Sequence, residues 1–180
     1  KEASISLSEY VMPGLGGKRW WREHALATAD VLNQVNADFI RLRSLRVPKS
    51  APLSEKIEKG EMELLDDDGV VREIRLFIEH LEGITSTVAS DHIMNLLEEI
   101  SGTLPDDKEQ MLSVADRYLA LPEEERLVYK VGRWGGAYRS LDDLEDSVLR
   151  AKIENVIHQW NVETSGQVDE MIKEMADQYI

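Results

Sequence analysis

Three groups of residues in this sequence have types and spacing suited to ligand binding. The first is a glycine-rich run, VMPGLGG, between a predicted strand and a predicted helix; its candidate residues are Met12, Pro13, Gly14, Gly16 and Gly17. Glycine lacks a Cβ and adopts positive φ, so a ligand can approach such a turn closely. Backbone N–H groups at the start of a helix can hold phosphates or carboxylates. The run therefore predicts a binding turn, and an ordinary tight turn is the alternative.

The second group is a pair of arginines, Arg41 and Arg43, two positions apart in a predicted strand. Alternate residues of a strand point to the same face, so both guanidinium groups are expected on one side of the sheet. A guanidinium offers a fixed fork of donors that matches carboxylate and phosphate oxygens. The pair predicts a clamp for a substrate anion. Salt bridges to Glu9 or to other carboxylates are the alternative.

The third group is Asp91 and His92, which directly follow another predicted strand. In β/α proteins the loops after the strands build the active site. His92 suits acid–base chemistry because the ordinary pKa of histidine lies near neutrality. Asp91 can orient His92, although capping a helix that begins at Ile93 is the simpler role. We take both as candidate substrate-binding residues, with no catalytic residue and no metal ligands assigned.

Strands and helices alternate in the first part of the chain. Strands are predicted over about 4–11, 38–47 and 84–89, with helices at about 20–35 and 68–81 between them. This order with helical crossovers implies parallel strands and right-handed connections. After residue 91 the pattern is helical, including a last helix over about 163–179. We predict an α/β domain over 1–102 and an α-helical extension over 103–180, although one continuous unit is equally compatible with the sequence.

One face of each predicted strand is polar. Serines and Tyr10 line the first strand, two arginines the second, and threonine or serine the third. A sheet covered by helices on both sides needs two apolar faces, so the lumen of a barrel fits this pattern better. Three strands cannot close a barrel and leave unpaired edges. We therefore expect a partial (β/α) barrel of the TIM type, whose missing strands come from elsewhere or whose edge a helix covers.

Composition excludes several classes of function. Acidic residues outnumber basic ones by 35 to 21, and the net charge of −14 repels phosphate backbones, so no nucleic-acid partner is expected. The lack of cysteine excludes disulfides, thiolate zinc sites and a cysteine-ligated iron–sulfur cluster within this chain. No apolar run approaches the ~20 residues of a membrane span, so we expect a cytoplasmic protein without a membrane partner. The start of the chain lies almost inside a strand, which suggests an excised segment.

The glycine turn, the next helix and the run DFIRLRSLRVPKSAPL together resemble the later half of the radical S-adenosylmethionine (SAM) barrel. In that family a strand ends in a (I/V)-x-G-L-P-G turn, and the next strand reads D-x-(I/V)-x-(L/I)-x-x-L before a proline-containing exit. Here Pro13 precedes the Gly-Leu pair, and Gly16 stands where many members have proline. The resemblance covers about residues 4–100. The matching positions are Val11–Gly17, Asp38, Ile40, Leu42, Leu45, Pro48, Ser50, Pro52 and Leu53.

The resemblance implies that residues 12–17 lie against the adenine and ribose of SAM. The family's CxxxCxxC loop, which binds a [4Fe–4S] cluster, is absent from this chain. We therefore expect the C-terminal fragment of a radical SAM enzyme of unknown substrate, inactive alone, with SAM and the cluster bound only in the full-length parent. Its partners would be the missing N-terminal half of the barrel or a second copy at the open sheet edge. The alternative is a non-enzymatic acidic module that binds proteins or small anions.

Overall fold

The computed structural model of the chain describes residues 5–160, 164, 166–168 and 171. Most of the helix predicted over 163–179 lies outside the described residues. The chain after residue 140 forms a short 3₁₀ helix (Leu141–Glu145), which an α-helix follows. In chain order the other elements are β1 (Ser8–Val11), α1 (Gly17–Val35), β2 (Phe39–Leu42), α2 (Pro52–Glu58), α3 (Asp67–Glu79), β3 (Thr87–Ala89), β4 (Gly102–Thr103), α4 (Lys108–Ala120), α5 (Glu123–Trp134) and α6 (Ser147–Trp160).

The described strands form an open four-stranded sheet in the order β1-β2-β3-β4. β1, β2 and β3 are parallel, as predicted from the alternation of strands and helices, while β4 pairs antiparallel with β3. The α/β class is thus confirmed. β4 and α2 were not predicted. The parallel register places Tyr10 beside Arg41 and Arg41 beside Ala89.

Helices cover one face of this sheet. Its apolar residues are Val11, Ile40, Leu42 and Val88, all of which are buried in the main hydrophobic core. α1 and α3 pack side by side and contribute to that core. α3 begins where the side chain of Asp66 accepts the N–H of Gly69 at 2.7 Å, as expected for a capping aspartate. The helical residues in this layer include Ala25, Ala29, Leu32, Val70, Val71, Ile74, Phe77 and Ile78.

The C-terminal helices extend the same core. α4 packs against α3, and α5 packs against α6. One cluster of buried apolar residues runs from Val11 in β1 to Ile153 in α6. The boundary predicted between residues 102 and 103 falls inside β4, which pairs with β3.

Buried charges join the sheet layer to the C-terminal helices. Asp67 accepts bonds from Arg46 at 2.7 Å and from the indole of Trp134 at 3.0 Å. Arg133 donates to the backbone oxygens of Asn95 and Leu96 at 3.0 and 3.2 Å. Arg133 and Trp134, at the end of α5, thus connect the helical part of the chain to the sheet layer.

Candidate binding face of the sheet

The second face of the sheet is partly open to solvent. Tyr10 is 65% exposed and the Arg41 side chain is 31% exposed, whereas Ile40 and Leu42, which flank Arg41 in β2, are fully buried. The polar sides of the strands therefore lie away from the helices. We call this surface the open face; its residues are Ser8, Tyr10, Phe39, Arg41, Thr87, Ala89 and Thr103.

The open face continues past the carboxyl ends of the parallel strands. Two positions beyond the row formed by Tyr10, Arg41 and Ala89 come Met12, Arg43 and Asp91. Parallel pairing continues here, because the N–H of Arg43 donates to the backbone oxygen of Val11 at 2.8 Å. Ends of adjacent parallel strands meet at one edge, so residues far apart in the sequence come together.

Asp91 joins the two arginines. Its Oδ2 accepts from Nη1 of Arg41 at 2.7 Å, and its Oδ1 accepts from Nη1 of Arg43 at 3.1 Å. The hydrogen bond from Arg43 is the main reason that the pKa of Asp91 is lowered from its ordinary value, with Arg41 contributing. The arginines therefore form salt bridges, as the alternative anticipated, but on a solvent-facing surface.

Aromatic rings support both guanidinium groups. The Arg43 guanidinium carbon lies 5.1 Å from the centre of the Tyr10 ring, and that of Arg41 lies 5.7 Å from the Phe39 ring. Such cation–π contacts are attractive and favour guanidinium positions close to the rings. The arginine pair is consequently held in place from β1 and β2 as well as by Asp91.

The segment after β3 is a loop rather than a helix. Residues 93–94 form a turn, and no helix begins at Ile93, so the capping role suggested for Asp91 is wrong. Nδ1 of His92 accepts the N–H of Met94 at 3.3 Å. Burial lowers the pKa of His92, and the positive charge of Arg43 lowers it further. His92 is therefore mainly neutral at pH 7.

Asn95 fixes this loop against the end of β2 and was not identified from the sequence. Its Oδ1 accepts the N–H of Ser44 at 3.0 Å, and its Nδ2 donates to Leu42 and to the hydroxyl of Ser90 at 3.0 and 3.1 Å. Asn95 is buried, and a buried amide that satisfies three partners positions the backbone on both sides of it. The only sequence feature that points to Asn95 is its position as a single polar residue within an apolar run.

The glycine turn is closed by internal bonds. The N–H of Gly14 donates to Oε2 of Glu73 at 2.9 Å, that of Gly17 to Gly14 at 3.0 Å, and that of Lys18 to Glu63 at 2.8 Å. These amides, which the sequence suggested as anion donors, already have partners. Pro13, Gly14 and Gly17 are buried and Gly16 is half-buried, whereas the Met12 side chain reaches solvent.

Glu73 is the residue that sequence reasoning missed at the glycine turn. It is 1% exposed on α3, and its Oε1 lies 2.5 Å from Nδ1 of His24 on α1. The sequence feature that points to Glu73 is an acidic residue placed among the apolar positions of α3, on the side that faces the sheet. His24, whose side chain is 22% exposed, is thus the partly buried partner of a fully buried carboxylate.

A separate cavity of about 630 Å³ lies between the segment after β2, α2 and the loop before α3. Its lining includes Lys18, Arg46, Glu63 and Asp67, whose opposite charges pair with one another in part. Within the described part of the chain, no group of three histidine or acidic residues could hold a metal ion. None of the described helices is both long and apolar enough to cross a membrane.

Comparisons with models of known protein families, with curated proteins and with solved structures gave no match. The fold and the candidate site therefore define only a class: an α/β protein with an open, mainly parallel sheet and an arginine pair at the carboxyl ends of its strands.

Proposed function

We propose that this chain is the C-terminal part of a radical SAM enzyme, a partial (β/α) barrel that contributes walls to the SAM and substrate sites and is inactive alone. One observation carries the proposal. The polar face that a barrel would turn toward its lumen is partly open to solvent in the described part of the chain, and Arg41, Arg43 and Asp91 meet there at the carboxyl ends of parallel strands. This is the end at which β/α barrels carry their sites.

In this proposal Met12 and the turn up to Gly17 border SAM, and the arginine row borders the substrate. Met12 and Leu15 are the exposed side chains of that turn, and Arg43 lies next to Met12 in the neighbouring strand. The N–H groups of Gly14, Gly17 and Lys18 already donate to acceptors within the protein. The turn would therefore contact SAM through side-chain and Cα surfaces. The arginines would orient an anionic group, and neutral His92 lies beside them.

A [4Fe–4S] cluster does not fit this chain, because the chain has no cysteine. In radical SAM enzymes the cluster and SAM together supply reductive cleavage chemistry. The cluster ligands would come from the missing N-terminal half of the barrel, and this chain would bind and orient the reactants. No other metal or cofactor role is assigned to its residues.

The β1 edge gives the missing half a place to pack. β1 pairs only with β2 in the described sheet, so its outer edge is unpaired there, and such an edge can pair with a strand of another chain. Apolar side chains near it are exposed, including Leu7 at 40%. α1 also exposes Val31 and Val35, one helical turn apart. In the isolated chain a second copy would use the same edge, as a homodimer.

The test starts from the coding sequence upstream of Lys1. If that sequence encodes a CxxxCxxC segment, the joined protein is reconstituted anaerobically with iron and sulfide, reduced, and given SAM. We expect 5′-deoxyadenosine by mass spectrometry, and none from a variant with the three cysteines changed to alanine. An upstream region without the cysteine triad, or a reconstituted protein that forms no 5′-deoxyadenosine, would reject the proposal.

The arginine pair also favours a second candidate function, a non-enzymatic module that binds small anions. Both functions predict an anion at Arg41 and Arg43, but only the first predicts SAM cleavage by the joined protein. Formation of 5′-deoxyadenosine therefore separates them.

A further inference from the structure

We infer that Asp91 is an internal occupant of an anion site formed by Arg41 and Arg43, and that a carboxylate or phosphate group of the substrate displaces it. The inference deepens the proposed function by naming a substrate class, and it rests on that function only in calling the ligand a substrate. The site itself is argued from the arginines and their surroundings.

The geometry is that of an anion bridging two guanidinium groups. Each oxygen of Asp91 takes one Nη1 donor, at 2.7 Å from Arg41 and 3.1 Å from Arg43. The two oxygens of a ligand carboxylate, or two oxygens of a phosphate, can span the same pair of donors. Each guanidinium carries five N–H donors, so the pair can offer a ligand more bonds than it gives Asp91.

Displacement of Asp91 is inexpensive. Its side chain is 53% exposed, and ion pairs at this exposure contribute little to stability. The backbone beside it stays fixed, because Ser90 bonds to Leu97 and Ser101 at 2.7 and 3.0 Å. Asp91 can therefore turn into solvent without unfolding the loop. A dianion interacts more strongly with two cations than a single carboxylate does.

The surroundings of the pair leave room for a ligand. Ala89 stands beside Arg41 in register, and its methyl group is the smallest side chain that this position could carry apart from glycine. The rings of Tyr10 and Phe39 contact the guanidinium groups of Arg43 and Arg41. Added salt is expected to weaken the binding, because salt screens the attraction between the ligand anion and the two partly exposed guanidinium groups.

The experiment follows the side-chain Nε–Hε NMR signals of Arg41 and Arg43 in the 180-residue chain at constant ionic strength. Inorganic phosphate and malonate are titrated separately. We expect saturable shifts of both signals, and the tighter probe indicates whether the ligand group is a phosphate or a carboxylate. Asp91→Asn should lower the Kd at least about threefold, because it removes the competing charge. Arg41→Met and Arg43→Met should each abolish saturation at the remaining arginine.

Asp116→Asn is the matched control. Asp116 is 54% exposed and bonds to the single arginine Arg75 on α3, so the substitution removes the same charge elsewhere. It should leave the Kd at Arg41 and Arg43 unchanged. A response that does not saturate, or an Asp91→Asn protein that binds no tighter than Asp116→Asn, would overturn the inference.

The two proposals fail separately. If both probes fail to saturate while the joined protein forms 5′-deoxyadenosine, the anion site is wrong and the proposed enzyme stands. If phosphate or malonate binds and the cysteine triad is absent upstream, the site stands and the enzyme is wrong.

Discussion

The carboxylate of Glu73 accepts the N–H of Gly14 at 2.9 Å and ties the glycine turn to α3. Its other oxygen contacts His24 of α1, so one buried side chain fixes three neighbouring segments. A buried carboxylate must have such partners, because leaving it unpaired is costly. The turn is therefore held from beneath, by the helix layer, and its outer surface is available to a ligand.

Glu73→Ala should lower the free energy of unfolding by about 3 kcal/mol, since it strips a buried partner from both Gly14 and His24. Glu73→Gln should cost less, about 1 kcal/mol, because an amide oxygen can still accept the Gly14 N–H. Urea unfolding measures both. Glu79→Gln on the same helix is the control, because its side chain is 44% exposed and its loss should change stability little. Equal effects at the two positions would contradict the assigned role of Glu73.

Asp68 should make the protein sensitive to acid. Burial alone would raise the pKa of Asp68, but the hydrogen bond from Tyr118 and the charge of Lys130 outweigh it, and the net pKa is lowered. The carboxylate of Asp68 therefore binds a proton more tightly in the unfolded chain than in the folded protein. The stabilisation that Asp68 contributes is complete above about pH 4 and is lost as the pH falls through its folded-state pKa.

Asp68→Asn tests this sign. The variant should be less stable at pH 7 by about 3 kcal/mol, because Lys130 loses a buried counter-charge. Its free energy of unfolding should also fall less steeply than that of the wild type below pH 4. Denaturant unfolding at several pH values measures both quantities, and parallel pH profiles for the two proteins would refute the prediction.

His92 should titrate below the ordinary histidine value of 6.5, because burial and Arg43 both favour its neutral form. The folded protein therefore binds this proton less readily than the unfolded chain does. Protonation of His92 should lower the free energy of unfolding as the pH falls below about 6.5. Arg43→Met should raise the pKa of His92, and Asp91→Asn should lower it further. The imidazole Hε1 signal reports each titration by NMR; shifts of the same sign in both variants would be inconsistent with the arrangement described.

Gly132→Ala should destabilise the protein although alanine normally favours a helix. An added Cβ would lie 2.2 Å from Cδ2 of the buried Tyr138 ring, so the ring or α5 must move. We expect a loss of about 2 kcal/mol in thermal or urea unfolding. In the control Gly83→Ala, a Cβ meets no atom within 4 Å and only the backbone φ of +70° opposes it. That control should cost about 1 kcal/mol, and a larger loss there than at Gly132 would argue against the packing.

The alternation of strands and helices was predictable because its signals are local. The apolar spacing of α1 and α3 and the alternation in β2 can each be recognised within a window of about fifteen residues. Because helices connect successive strands, these local patterns also predict that the strands are parallel. β4 has two residues, too few for a period, and exists because its backbone meets β3. The loop after β3 reads as a helix start, but the hydroxyl of Ser90 binds the backbone oxygen of Leu97, and Asn95 ties the loop to the backbone at the end of β2.

By itself the sequence determined the α/β class, the polar side of each strand and the shared face of Arg41 and Arg43, because a strand's period of two needs no long-range contact. Only the tertiary structure decided that Asp91, 48 residues from Arg43, bonds to both arginines, and that Glu73 occupies the Gly14 amide 59 residues away. Such pairs depend on which elements become neighbours, and burial then selects partners that no local pattern records.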